Sequence, residues 1–180
     1  LFPRSDVDLL VLAGGPLGAD AAAPIERFFA RLWDEGLNVG HAVRTPAECG
    51  EGAAADVTIL TNLLDARLLA GRGDLAEAMR VATAPGRVWP PARFAAAKLA
   101  EQQARHARFH DTAYNLEPNL KEGPGGLRDY QTIVWVAQRQ FGGPGLAAMR
   151  QAGLLGAEEA EALEAARRTL WRIRYGLHLL

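Results

Sequence analysis

The stretch Ser5-Asp6-Val7-Asp8-Leu9-Leu10-Val11-Leu12 decides how the first half of this 180-residue chain reads. Two carboxylates at i and i+2 run straight into an apolar, β-prone segment. In an extended strand successive side chains alternate faces, so Asp6 and Asp8 project from the same face. Residues 9–12 read as a buried strand that anchors the pair at one end of a sheet. A fixed pair of hard oxygen donors beside solvent is what a Mg²⁺ site for phosphate chemistry requires. Asp-x-Asp is common, and alone it is better read as acidic turn residues before a strand. The segments downstream reverse that preference.

Gly14-Gly15-Pro16 breaks the strand. Ile25, Phe28, Phe29, Leu32 and Trp33 then mark one face of a helix, with Pro24 in its first turn and Gly36 at its end. Residues 37–44 read as a second strand, with Leu37, Val39, His41 and Val43 on one face. Thr45-Pro46-Ala47-Glu48 is a capping box with proline at N1. Residues 56–70 mix strand and helix signals, and a helix stopped by Gly71 is the better reading. Asp74-Leu75-Ala76-Glu77 is a further capping signature. Beyond Pro85 the pattern turns all-helical. One helix runs from Pro90-Pro91 to about Phe109 and another from about Gly126 to Phe141, before the Gly142-Gly143-Pro144 break. The last helix shows Leu163, Ala166, Leu170, Ile173 and Leu177 on one face. The expected fold is α+β, a small mixed sheet (residues 1–85) followed by an all-helical domain (86–180).

With 49% hydrophobic and 23% charged residues, the composition is that of an ordinary globular protein. A net charge of −1 gives no field to recruit nucleic acid or an acidic membrane. Arg105, His106 and Arg108 are the only dense basic group before the last helix. No apolar run reaches the roughly 18–20 residues that span a bilayer, and no signal peptide opens the chain. Cys49 is the sole cysteine, so a reducing cytoplasm is the expected setting and the thiol reads as structural. The chain lacks an initiator Met and stops within a helical pattern, so both ends are expected to be cut from something longer.

The second informative region is Thr112-Ala113-Tyr114-Asn115-Leu116-Glu117-Pro118-Asn119-Leu120-Lys121-Glu122-Gly123-Pro124-Gly125-Gly126-Leu127-Arg128-Asp129. It is a long polar loop entering a helix, and such loops are more often functional than not. Gly123, Gly125 and Gly126 permit close backbone approach, and amides at a helix start suit an anion. Lys121 and Arg128 would neutralise phosphate charge. The other reading, equally open, is an ordered connector packing against the first domain, with Arg128 and Asp129 in salt bridges. His41 reads as a hydrogen-bonded core histidine before a ligand. Trp33, Trp135 and Trp171 read as core before stacking platforms. His110-Asp111 reads as a helix-end pair, because no companion His/Asp cluster accompanies it.

Taken together, these segments resemble the nucleotidyltransferase part of the bacterial bifunctional PII uridylyltransferase/uridylyl-removing enzymes. The resemblance is carried by Ser5–Leu10, Gly40-His41-Ala42-Val43-Arg44-Thr45, the run 61–71, the block from Tyr114 to Asp129 with Gln131-Thr132-Ile133-Val134-Trp135, and Trp171-Arg172-Ile173-Arg174-Tyr175. It covers essentially the whole chain. Asp-x-Asp is shared with the wider polymerase-β-like superfamily, whereas the 115–128 block is much more specific.

The resemblance implies Mg²⁺-dependent transfer of UMP from UTP to a tyrosine of the PII nitrogen-signalling protein, with release of pyrophosphate. Asp6 and Asp8 become the catalytic, metal-binding carboxylates. Ser5, Lys121, Gly125, Gly126 and Arg128 fall on the substrate side. The superfamily's third carboxylate has no counterpart within 37–44, and Asp56 is the nearest candidate. The family's upstream glycine-rich triphosphate segment, its phosphohydrolase domain and its glutamine-sensing regulatory domains are not in this sequence. The isolated piece is therefore expected to be inactive. The rival readings are the related adenylyltransferase acting on glutamine synthetase and a catalytically silent interaction module.

Overall fold

A computed structural model describes residues 5–114, 116–143 and 145–180, the side chain of Ala19 excepted. Asn115 of the polar loop and Pro144 of the helix break lie outside the described residues. The chain divides into two compact units, the first running through Val88 and the second starting at Trp89. The change in sequence character at residues 85/86 falls just short of this boundary.

In the first unit, β1 (Val7–Leu12), α1 (Ala19–Asp34) and β2 (Val39–Arg44) form a parallel β-α-β unit. The register pairs Val7 with Val39, Asp8 with Gly40 and Leu12 with Arg44. Among the described residues the sheet has these two strands alone, so the expected mixed sheet is corrected to a parallel pair. Alternation puts Val7, Leu9, Val11, Val39, His41 and Val43 on one face. The other face carries Asp6, Asp8, Leu10 and Leu12 beside Asn38, Gly40, Ala42 and Arg44.

Helix α1 covers the first of these faces. Phe29 is fully buried, its ring 4.2 Å from that of His41, and the Trp33 indole N–H donates to the Val39 carbonyl at 3.1 Å. His41 is stacked on Phe29 yet exposed, and Trp33 is half exposed; neither is the core residue expected. The helix begins at Ala19, which leaves Pro24 inside it rather than in its first turn. The alanines at 21–23 favour helix strongly enough to extend it upstream of the proline.

The remaining helices of this unit are α2 (Pro46–Ala55), α3 (Val57–Leu64) and α4 (Gly73–Ala82). The Thr45–Glu48 capping box forms as read, with both reciprocal hydrogen bonds present. The ambiguous stretch after Asp56 is helical, though α3 ends at Leu64, well short of Gly71. Asp74 does not cap α4; the helix starts at Gly73, and Asp74 pairs with Arg72 from its first turn. Gly50 lets α2 and α4 approach, since a Cβ there would stand 3.3 Å from Ala82. Cys49, Ala53, Leu60 and Met79 fill the core, and burial pushes the Cys49 thiol pKa up, which makes it inert.

The second unit is wholly helical among its described residues: α5 (Pro91–Ala107), α6 (Leu127–Phe141), α7 (Gly145–Gln151) and α8 (Ala157–Leu179). Trp135 is buried as expected, with the Lys98 ammonium 4.8 Å and the Arg128 guanidinium 5.4 Å from its ring centre. Trp171 instead lies half exposed beneath the Arg167 guanidinium, 4.3 Å from the ring centre. His110 and Asp111 follow the end of α5, both with positive φ. Among the described residues no helix is long and apolar enough to cross a membrane.

Candidate functional site

The open face of the β1–β2 pair carries the acidic residues. Asp6 and Asp8 are both exposed, one residue before β1 and at its second position. Ser5 is half-buried just ahead of them. The parallel register brings the start of β2 alongside, and the Val7 amide donates to the Asn38 carbonyl at 2.9 Å. The Asn38 side-chain amide donates to Asp6 Oδ1. One oxygen of that carboxylate is thereby oriented while the other stays available. Opposite Asp8 stands Gly40, where a Cβ would lie 2.6 Å from Asp8 Oδ1. Glycine at this place leaves the carboxylate room to lie over the neighbouring strand.

Asp56 does not join the pair. It is the N-cap of α3, its Oδ1 accepting from the Thr58 amide at 2.7 Å. Among the described residues no group of three or more His, Cys, Asp or Glu is placed to hold a metal ion. Service as a third ligand would require Asp56 to give up its cap.

A substitution tests this role of Gly40. Its clash partner is the far end of a mobile side chain, so Gly40→Ala displaces the Asp8 carboxylate rather than the strand. The expected result is a fall of about tenfold in any activity that needs Asp8, with an unchanged melting temperature, read by kinetics and thermal denaturation together.

The glycine-rich loop of the second unit is ordered by its own contacts. Asn119 Oδ1 accepts from the amides of Lys121 and Glu122 at 3.0 and 2.8 Å. The amides of Gly126, Leu127 and Arg128 donate to the carbonyls of Gly123, Leu120 and Lys121. The Gly125 amide donates to Asp129 Oδ2 at 2.7 Å. The amides expected to receive an anion are therefore already used within the loop. Arg128 meets Glu122 Oε1 at 3.3 Å, and Lys121 approaches the same oxygen at 3.9 Å. Arg128 is thus in a salt bridge, as the connector reading expects of it.

At the centre of these contacts is Asp129. It accepts from Gln102 at 2.9 Å and from the buried Arg105 at 2.6 Å, and His106 Nε2 lies 2.9 Å from Oδ2. Burial raises the Asp129 carboxyl pKa, but hydrogen bonds from Arg105, Gln102, Gly125 and His106 outweigh it and hold the group at about 2. Arg105 also donates to the Glu122 carbonyl at 2.8 Å, which ties α5 to the loop. In the sequence Arg105 and His106 read as a weak basic patch, and that reading misses this role. The signal is nonetheless present, since Gln102, Arg105 and His106 recur at i, i+3 and i+4 on one face of α5. On α6, Tyr130 donates to Glu164 of α8; burial first, then that carboxylate, pushes its phenol up to about 12.

A family profile described as GlnD PII-uridylyltransferase matches residues 93–180. A bifunctional uridylyltransferase/uridylyl-removing enzyme of Azotobacter vinelandii is 49% identical over all 180 residues. One from Stutzerimonas stutzeri is also 49% identical, and one from Pseudomonas putida 48%, again over the whole chain. The chain spans about a fifth (20%) of the length of these curated relatives. No solved structure matches it. Aligned from end to end with such relatives, the chain belongs to the family of bifunctional uridylyltransferase/uridylyl-removing enzymes.

Proposed function

We propose that this chain is part of the nucleotidyltransferase region of such an enzyme, moving UMP from UTP to a tyrosine of the PII protein and releasing pyrophosphate. One observation carries the reading. In a chain 49% identical to named uridylyltransferases, two exposed aspartates share an open sheet face, where Asn38 just ahead of the neighbouring strand provides an amide for one and Gly40 within that strand a gap for the other.

These residues fit a divalent cation such as Mg²⁺. The donors are hard carboxylate oxygens, and the space over Gly40 is one a Cβ would fill. When bound, the metal supplies charge neutralisation on the triphosphate and lowers the pKa of the attacking hydroxyl. Asp6 and Asp8 hold and orient that charge from one rigid strand. Asn38 keeps Asp6 from rotating out of line, as outer partners of metal ligands do. The acceptor needs this help, because a free tyrosine has a pKa of about 10 and is a poor nucleophile near neutrality.

The decisive experiment incubates α-labelled UTP, Mg²⁺ and PII with a full-length protein that carries this chain. Label on a PII tyrosine, outcompeted by unlabelled UTP and not by ATP, is the expected result. Competition by ATP, with label moving to glutamine synthetase, would establish the adenylyltransferase reading instead. Absence of transfer to either acceptor would leave a silent interaction module. The 180 residues alone are expected to bind UTP weakly and to label PII little or not at all.

A further inference from the structure

Four residues beyond Gly40, the same face of β2 ends in Arg44. Its guanidinium is held in an unusual seat. Nη1 lies 2.8 Å from where a Cβ on Gly52 of α2 would stand, and Ile59 Cδ1 is 3.5 Å from that same point. Arg44 is half-buried against a glycine backbone and an aliphatic side chain, yet its side chain makes no direct ion pair or hydrogen bond among the described residues. The Glu48 carboxylate is near enough to feel its charge but is used in the capping box, accepting from the Thr45 amide at 2.7 Å and the Thr45 hydroxyl at 3.0 Å. The guanidinium nitrogens are not among the buried, unbonded side-chain atoms of the described residues, so they face solvent and are open to an incoming anion. Here no carboxylate is bonded to the guanidinium, on the face that presents Asp6 and Asp8.

We propose that Arg44, seated on Gly52, receives the anionic polyphosphate of the nucleotide. This rests on the reading of Asp6 and Asp8 as metal-holding carboxylates and adds a residue to it. A guanidinium suits the task, since its planar fork matches phosphate oxygens in pairs and never loses its charge. The four-residue step from Gly40 corresponds to roughly 13 Å along the strand. An extended triphosphate and the long arginine side chain together span that distance. Gly52 matters because any side chain there would push the guanidinium off its seat without removing its charge.

The test uses a full-length protein carrying the chain, with UTP and inorganic pyrophosphate as the two probes. Arg44→Gln is expected to raise the KM for UTP and the inhibition constant for pyrophosphate by roughly 10- to 100-fold, with kcat changed much less. Arg44→Lys should recover part of that loss. Gly52→Ala, which keeps the charge, should move both constants in the same direction by a smaller factor. If Arg44→Gln fails to fold, the Gly52→Ala result alone decides. Unchanged UTP and pyrophosphate constants in these variants, while Asp8→Asn is inactive, would overturn the role of Arg44 and leave the acidic site standing. Wild-type rates in Asp8→Asn would overturn the underlying reading instead.

Discussion

Asp8→Asn, placed in a full-length protein that carries this chain, is expected to slow UMP transfer by on the order of 10³-fold or more. The substitution is nearly isosteric. It removes one negative charge and half of the acceptor capacity from an exposed side chain with open space over Gly40. Nothing in the core depends on that side chain, so the melting temperature should stay within about a degree of the parent. The loss would then belong to the reaction and not to folding. Titration with Mn²⁺ gives a readout independent of turnover, and its affinity should fall with the rate. Asp6→Asn should follow the same course, with one difference. Its amide can still be oriented by Asn38, so a partial residue of metal affinity is expected there. Transfer by Asp8→Asn at the parent rate would remove the acidic pair from the mechanism altogether.

That prediction uses the part of the molecule the sequence disclosed best. Strand alternation at Ser5–Leu12 needs only a period of two, and it places Asp6 and Asp8 on one face; yet β1 starts at Val7, and residues 9–12, read as buried, are only half-buried because two strands are too few to enclose them. The Thr45 box is equally local, four residues closing two hydrogen bonds on themselves. Pro24 shows the limit of such rules: helix propensity summed over neighbouring alanines outweighed the preference of one proline for a first turn. Asp74 shows another, since a capping signature competes with an arginine two residues upstream that takes the same carboxylate.

Long-range pairing was the part that stayed hidden. Gly40 and Asn38 look like ordinary strand residues in the sequence, because their meaning depends on which side chain the register sets opposite. His41 and Trp33 have core-type side chains, yet a pair of strands and one helix cannot enclose both. In the second unit, the loop glycines satisfied the chemistry of an anion site on paper. The structure uses their amides for the carbonyls of the same loop and for Asp129, a carboxylate four residues on from Gly125. A negatively charged side chain at a helix start is as good an anion for those amides as a phosphate, and it is always present.

Asp129 is accordingly where the second unit is most vulnerable, and Asp129→Ala is expected to destabilise it by roughly 3–5 kcal/mol. The carboxylate gathers Gln102, Arg105 and His106 from α5 and the Gly125 amide from the loop. Removing it strands the Arg105 guanidinium, 3% exposed, with the Glu122 carbonyl as its remaining hydrogen-bond partner. Its Nε already lacks a hydrogen bond, so little slack remains. Asp129→Asn should fall between parent and alanine variant, because one end of the amide is a donor facing donors. The pH dependence has a fixed sign. The folded carboxyl sits at about 2, below its ordinary value of 3.8, so its stabilisation is complete above that ordinary value and is lost as pH falls through about 2. The urea midpoints of parent and Asp129→Ala should therefore be far apart at neutral pH and converge in strong acid. Hydrogen exchange at the Gly125 amide supplies a local check, since its protection depends on Asp129 Oδ2. Equal midpoints at neutral pH, or an undiminished Gly125 protection in the alanine variant, would show that the loop is held by something other than this carboxylate.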